Sequence, residues 1–572
     1  MSFAEPSRHS PDWLALDAAR RVVATLLEGG VRQLVLAPGS RSAPLAYALA
    51  EAQPQLETLV RIDERAAGFT ALGLALGSGR PAAVVTTSGT AVGNLLPAVM
   101  EANHAGVPLI VLSADRPEEL RGTGANQTTD QLDLFGTHVR FAVDIAAGTD
   151  PQAAVRTALD AAQGLLADIP PGPVQLNLAF REPLTPSLDG SDFQPRARRP
   201  ITSPSSEVPQ PYSRLGLTRS LSERARRTVV LAGHDAGAEA EEFARLHQLP
   251  LLAEPSSNAR FGANAIGPYR LLLAEFSEQV ERLVTFGRPT LSRPVAALMN
   301  RTELPRALYL PRPVPWFEEG RRSESLIRNA AALSEFAGTG AEGWLESWQH
   351  AAALAETALE STLGTELCGL RLAREVWRQP VEQLVVGSSN PIRDLDLAGT
   401  PGVLSPRVFA NRGLAGIDGT ISTASGVALA APRPTRLLLG DLTFLHDAGG
   451  LLLPDGERIP EVQMIVLNDA GGGIFNLLEH GVLGEQKDYA DAVERFFGTS
   501  HRVKLESLAA GYGLEHRLIS TTAELTESLQ APIHGRSILE IRTERSALRG
   551  LHDRVKTAVS AALRAGDVRA GS

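Results

Sequence analysis

The chain has 572 residues, 43% of them hydrophobic, and carries 55 Lys plus Arg against 65 Asp plus Glu, for a formal charge of −10. That length suggests roughly three or four domains, and the acidic balance argues against a nucleic-acid binder, which should show a basic stripe. Its only lysines are Lys487, Lys504 and Lys556, so the other 52 cations are arginines; none of the three lies in a G-x-x-x-x-G-K-[ST] phosphate loop, and pyridoxal or lysine-nucleophile chemistry would have to use one of them.

The first residues, MSFAEPSRHSPDW, lack the charged-then-apolar order of a signal peptide, and no run reaches the ~18 apolar residues of a membrane span. With one cysteine, Cys368, the chain can form neither an internal disulfide nor a multi-cysteine metal site, and a cytoplasmic protein with no membrane insertion is expected. Over Asp12 to Glu28 the apolar residues Trp13, Leu16, Val23 and Leu27 have helical spacing that stops at Gly29-Gly30. Gln33 to Ala37 then reads as a buried strand, and the βα rhythm recurs at Thr58 to Ile62, Ala82 to Thr86 and Pro108 to Leu112. Each strand is followed by residues of unusual chemistry: PGSRS, DER, TSGT and SADR. Open α/β sheets place ligands there.

A Pro-, Ser- and Arg-rich stretch without apolar period predicts a linker over 184–212, after a first α/β domain at 1–183. A second α/β unit (213–345) carries TVVLAG, PLLAEPSSNARFG and RLVTFGRPT, and a third (346–572) carries QLVVGSSNPIRD, RLLLGD, VQMIVLNDAGGG and ILEIRT. The expected architecture is therefore α/β, three doubly wound domains with mostly parallel sheets.

Two strands of the third unit end in Gly440-Asp441 and Asn468-Asp469, with 28 positions between the aspartates. A parallel sheet brings both to one edge, while Gly471 to Gly473 leave backbone groups uncovered. Either dipeptide alone is a common turn. Together they suit a hard divalent cation, Mg²⁺ or Mn²⁺ in its place, which keeps phosphate oxygens in its shell. The ligands read from the residues are Asp441, the Gly471 carbonyl, and Asp469 or Asn468, with Asp469 preferred.

This pattern resembles the G-D-G…N-N signature of thiamine diphosphate enzymes, with Leu442 and Asp469 as departures. Such a cofactor needs a carboxyl to hold its aminopyrimidine in the imino form, and Glu64, in VRIDERAAGF, is the candidate. The stretches APGSRSAPL (37–45), DERAAGF (63–69), TSGTAVGNLLPAV (87–99), SADRPEELRGTGANQTTDQ (113–131), NRGLAGIDGTISTASG (411–426) and NDAGGGIF (468–475) narrow the likeness. They resemble the 2-succinyl-5-enolpyruvyl-6-hydroxy-3-cyclohexene-1-carboxylate (SEPHCHC) synthase family of menaquinone biosynthesis.

The resemblance implies a carbon–carbon bond-forming transferase. It decarboxylates 2-oxoglutarate on thiamine diphosphate and adds the succinyl carbanion to isochorismate in a 1,4-addition, with no release of pyruvate. Carried over by position, Ser40, Arg41, Arg116, Asn126, Gln127, Arg293, Arg393 and Arg412 would contact substrate, with Phe475 and Leu478 as apolar neighbours. Glu64, Ser389, Arg393 and Arg412 would serve catalysis. Gly89, Ile417, Gly440, Leu442, Thr443 and Asn468 would line the cofactor, with Ile417 bending it. Ser292 stands where the family often has a lysine. His446, His480 and Cys368 read as non-catalytic. Active sites would form between subunits of a homodimer or homotetramer. Alternatives are another thiamine diphosphate carboligase or decarboxylase, of the acetolactate synthase kind, and a non-catalytic phosphate-binding relative.

Overall fold

The computed structural model describes residues 13–195, 224–379, 381–403 and 405–566. Strands β1 (Gln33–Leu36), β2 (Glu57–Val60), β3 (Ala82–Thr86), β4 (Leu109–Asp115), β5 (Phe141–Ile145) and β6 (Val174–Ala179) form one parallel sheet in the order β2-β1-β3-β4-β6-β5. A central group follows: β7 (Ala225–Arg226), β8 (Thr228–Ala232), β9 (Leu251–Ala253), β10 (Arg282–Phe286), β11 (Arg306–Tyr309), β12 (Ser325–Ile327) and β13 (Thr339–Gly340). Here β8 to β12 make a parallel sheet in the order β12-β11-β10-β8-β9, and β7 pairs with β13. The last strands are β14 (Gln383–Val386), β15 (Arg407–Phe409), β16 (Thr435–Gly440), β17 (Val462–Asn468), β18 (Glu515–Ile519) and β19 (Arg536–Arg542), ordered β15-β14-β16-β17-β19-β18.

With strands numbered within each sheet, the three large sheets all contain the order 2-1-3-4, and the first and last are identical throughout. The expected multi-domain parallel α/β architecture is thus present, with a closer internal likeness than double winding alone. Buried on both faces by helices, the strands read as continuous apolar runs: every residue of β3 (AAVVT) and of β17 (VQMIVLN) is buried. The expected strand at Pro108 to Leu112 runs on to Asp115, because β6 pairs with it as far as Asp115 against Ala179. The first helix is Ala15–Glu28; Asp12, where it was expected to begin, lies outside the described residues.

Residues 196–212 of the expected linker also lie outside the described residues. Its first part docks on the first unit, where Arg20 donates to the Asp192 carbonyl and the Gln194 amide donates to Glu51 Oε1. The central and third units share a core. Leu551, Val555, Val559 and Leu563 recur every fourth position on the helix Leu548–Ala565 and pack with Trp344, Trp348 and Leu359 of Trp344–Leu363 and with Val229 and Leu283 of the central sheet. Each buried Leu or Val contributes roughly 1.5–3 kcal/mol to this junction.

The helix Glu64–Ser78 of the first unit crosses Thr420–Ala430 of the third at very close range. A Cβ on Gly73 would stand 2.1 Å from the Thr423 carbonyl, and one on Gly426 would stand 2.1 Å from that of Thr70. Reciprocal glycines let the two backbones touch, and that contact locks the Glu64 helix onto the segment following Ile417.

Candidate active site

Parallel α/β sheets bind ligands beyond the carboxyl ends of their strands, where neighbouring connections diverge. The candidate residues obey this rule in all three units. Ser40 and Arg41 follow β1, Glu64 follows β2, Gly89 follows β3, Arg116 follows β4 and Arg293 follows β10. Ser389 and Arg393 follow β14, Arg412 and Ile417 follow β15, Asp441 to Thr443 follow β16, and Asp469 to Gly471 follow β17.

The end of β16 meets the end of β17 through Asp441, whose Oδ2 accepts the Gly471 amide at 2.9 Å and whose Oδ1 accepts the Leu442 amide at 2.7 Å. Asp469 lies beside it, and its buried Oδ1 has no hydrogen-bond partner. Burial raises both carboxyls above the usual range; with the Asp441 charge added, Asp469 is pushed up to about 7. Gly473 is required here, since a Cβ on it would stand 1.9 Å from Asp469 Oδ2. Asn468 is already engaged: its Nδ2 donates to Glu540 Oε1 at 2.7 Å and its Oδ1 accepts the Ala470 amide at 3.1 Å. Two adjacent buried carboxylates, one of them with an unpartnered oxygen, fit a divalent cation, because a positive charge removes the cost of keeping both ionised.

His501 adds a group that sequence reasoning missed. Its Nε2 stands 2.9 Å from Asp441 Oδ2, while its Nδ1 faces the Val503 amide at 3.3 Å. Since Nδ1 accepts from that amide, the network assigns the proton to Nε2, which donates to Asp441. Nothing near His501 in sequence announces this role; the contact is made only by folding.

A second group gathers around Arg412, which is 3% exposed and donates to Thr290 Oγ1 at 2.6 Å, while its Nε has no partner. Burial lowers its pKa, and Arg393 nearby lowers it further. Arg393 donates to the Ser389 carbonyl at 2.8 Å, and Ser389 has a φ of +75°, rare for a residue with a side chain. Under Arg412 lies the fully buried Glu254, which accepts the Thr290 and Leu291 amides at 2.8 and 2.9 Å. Burial, with Asp396 nearby, pushes Glu254 up to about 8 against these two amides and the Arg412 charge.

In the first unit, Arg116 donates to the Gln127 carbonyl at 3.0 Å and to Ser88 Oγ. The Gly89 amide donates to Gln131 Oε1 at 2.7 Å, so the TSG turn and the GANQTTDQ loop are held together. Asn126 and Gln127 are exposed on that loop, as is Ser40, and Arg41 donates to the Phe180 carbonyl at 2.9 Å. Burial and the neighbouring Arg116 lower the Arg41 pKa. Glu64 is half-buried and accepts Asn94 Nδ2 at 3.1 Å, a partner in its own unit. Its neighbour Arg65 donates to the His446 carbonyl at 2.9 Å.

Thr443 is buried, and Gly440, Leu442 and Ile417 are half-buried. Gly419 (φ +57°) seats the Ile417 turn on the Glu64 helix, where a Cβ would stand 1.9 Å from the Phe69 ring. Phe475 and Leu478 are half-buried beside an aromatic group in which His480 stacks on Phe497 at 4.1 Å between centroids. Arg293 is exposed and paired with Glu479 at 2.6 Å, next to Leu478, while the buried Ser292 Oγ has no partner. His446 is exposed, 3.9 Å from Asp418 Oδ1, and burial raises the Cys368 thiol.

The family "Thiamine pyrophosphate enzyme, N-terminal TPP binding domain" matches residues 16–134, which hold Glu64, Gly89 and Arg116. Among curated relatives, the 2-succinyl-5-enolpyruvyl-6-hydroxy-3-cyclohexene-1-carboxylate synthase of Renibacterium salmoninarum is 68% identical over 551 residues, covering 96% of this chain and 98% of the relative. Proteins of the same name from Arthrobacter sp. (strain FB24) and Paenarthrobacter aurescens are 61% and 59% identical, each over 96% of this chain and over 93% and 97% of their own length. With identity this high along nearly the whole of both chains, and the predicted motifs gathered at the strand ends, this chain belongs to the SEPHCHC synthase family of thiamine diphosphate enzymes.

Proposed function

We infer that the chain decarboxylates 2-oxoglutarate and adds the succinyl unit to C–C-unsaturated isochorismate in a 1,4-addition, forming SEPHCHC for menaquinone biosynthesis. The observation that carries the reading is the pair Asp441 and Asp469 at the ends of β16 and β17, with Asp469 Oδ1 buried and unpartnered. When bound, thiamine diphosphate supplies the electron sink for decarboxylation and its own aminopyrimidine base.

The residues of the chain bind, orient and hold protons. Asp441, Asp469 and the Gly471 carbonyl hold Mg²⁺, or Mn²⁺, for the diphosphate; Asn468 shapes the turn through Glu540 and Ala470. Gly89, Gly440, Leu442 and Thr443 line the cofactor, Ile417 wedges it, and Glu64 holds a proton for the aminopyrimidine. Arg41, Arg116, Arg393 and Arg412, with Ser40, Asn126, Gln127 and Ser389, receive the carboxylates of two dianions. Guanidinium suits this task because it pairs bidentately with carboxylate and keeps its proton even where burial lowers its pKa. Arg293 reaches the site by exchanging Glu479 for a substrate carboxylate, since an exposed pair is weakly held. Phe475 and Leu478 form the apolar side.

The working units are the first domain at 1–183, the central at 213–345 and the third at 346–572, joined by the linker. Each site takes Glu64 from one subunit and Asp441 from another of a homodimer or homotetramer. No helix among the described residues is long and apolar enough to cross a membrane, and a cytoplasmic setting suits the lone cysteine.

Incubating the protein with thiamine diphosphate, Mg²⁺, 2-oxoglutarate and isochorismate tests the reading. Consumption of 2-oxoglutarate that requires isochorismate supports it. Consumption without isochorismate points to another 2-oxo acid decarboxylase, and no turnover of any 2-oxo acid points to a non-catalytic relative.

A further inference from the structure

The turn Asn411 to Gly419 carries both Arg412 and Ile417, yet its middle has no regular secondary structure to hold it. What holds it comes from the other end of the chain. Glu101, on the first-unit helix Leu96–Ala105, is 5% exposed and spends both carboxylate oxygens on this turn. Oε1 accepts the Gly413 amide at 2.6 Å, and Oε2 accepts the Leu414 amide at 2.8 Å. From the opposite side Arg288 of the central unit donates to the Gly413 carbonyl at 2.8 Å. The fit leaves no slack, since a Cβ on Gly413 would stand 2.6 Å from the Glu101 carbonyl and 3.0 Å from its Cδ.

Buried carboxylates are costly and persist where strong donors meet both oxygens. Two consecutive backbone amides meeting the two oxygens of one carboxylate fix the position and the tilt of a turn, as a single hydrogen bond would not. We propose that Glu101 is a positioning residue of the synthase: its carboxylate clamps the Gly413–Leu414 amides and thereby sets the placement of Arg412 on one side and Ile417 on the other. Glu101 touches neither substrate nor cofactor in this assignment. The inference rests on the functional reading above for the roles of Arg412 and Ile417, but the clamp itself is a property of the folded chain.

The test uses the full-length protein in two arms. In the kinetic arm, Glu101→Gln replaces one acceptor oxygen by a donor that faces a donor. The expected result is a fall in kcat/KM of roughly tenfold or more, mainly through the KM of the acid that Arg412 holds, as for a lost charge-assisted hydrogen bond. Combined with Arg412→Lys, it should lower kcat/KM by clearly less than it does alone, because part of its effect runs through Arg412 and only the part through Ile417 remains. Full additivity, or an unchanged kcat/KM in Glu101→Gln, overturns the proposal.

The second arm needs neither turnover nor a variant that folds. Hydrogen exchange of the wild-type protein should show the Gly413 and Leu414 amides protected relative to the Ala415 to Asp418 amides of the same turn. Rapid exchange at both overturns the clamp whatever the kinetics show. Protected amides in a protein that turns over neither acid would instead sink the functional reading and leave the clamp standing.

Discussion

His501 Nε2 donates to Asp441 Oδ2 across 2.9 Å, the same oxygen that accepts the Gly471 amide. One carboxylate oxygen of the candidate metal site is thus oriented by two donors, and the histidine ring is itself fixed by the Val503 amide on Nδ1. Partners that orient a ligand in this way typically matter ~10–100-fold to metal affinity. His501→Ala is therefore expected to raise the Mg²⁺ concentration needed for half-maximal thiamine diphosphate binding by at least tenfold. Titrating the metal against cofactor fluorescence or heat checks it, and an unchanged requirement would remove His501 from the site.

Glu64→Gln keeps the shape of the side chain and its hydrogen bond to Asn94 within reach, while removing the exchangeable carboxyl proton. The variant should bind thiamine diphosphate with near wild-type affinity and exchange the cofactor C2 proton ~10²-fold or more slowly, the usual size of a general acid–base contribution. Exchange at the wild-type rate would exclude Glu64 from that step.

Much of this arrangement was legible in the sequence because it is local. The apolar runs of β3 and β17, the residues just past each strand and the two aspartates at the ends of β16 and β17 all follow from short-range patterns read against one fold rule. Asp469 was already preferred over Asn468 from the sequence, but the engagement of Asn468 was not local. That engagement depends on Glu540, which lies on a neighbouring strand and accepts from Asn468 Nδ2, while Asp469 Oδ1 stays unpartnered. His501, Glu101, Thr290 and Glu254 were invisible for the same reason, since each acts on a residue more than 30 positions away. The shared 2-1-3-4 strand order was equally hidden, because strand order is a property of crossovers and not of strands.

Intersubunit sites predict complementation. Glu64→Gln and Asp441→Asn should each be nearly inactive alone. If every site draws one residue from each subunit, exchanging subunits between equal amounts of the two proteins leaves half the dimers mixed, each with one intact site. Activity should then return to about a quarter of wild type, as two-fold symmetry requires. No recovery after verified subunit exchange would place Glu64 and Asp441 of a single chain in the same site.

Arg393 donates to the Ser389 carbonyl from a backbone held at a φ of +75° on Ser389, so its guanidinium is aimed by its own turn. Arg393→Lys preserves the charge and loses the planar fork. The expected change is roughly a tenfold or greater rise in KM for one of the two acids, with the other affected less, because one bidentate contact is removed. Equal KM values in variant and wild type would show that Arg393 supplies only charge.

Glu254 offers a stability prediction with a defined sign. Burial, with Asp396 beside it, raises its pKa to about 8 in the folded chain, against an unfolded value of 4.5. Between those values the folded state holds a proton that the unfolded state has lost. The contribution of Glu254 is therefore fully present below pH ~4.5 and is lost as the pH rises toward 8, by roughly 1.4 kcal/mol per pH unit at most. Glu254→Gln keeps the neutral form at every pH and can still accept the Thr290 and Leu291 amides through its carbonyl oxygen. The stability of the variant relative to wild type should accordingly rise as the pH is raised from 5 to 8 and level off above it. Unfolding midpoints measured for both proteins across that range decide the matter: a difference that stays constant with pH would mean that Glu254 is already ionised in the folded chain, held so by Arg412 and the two amides.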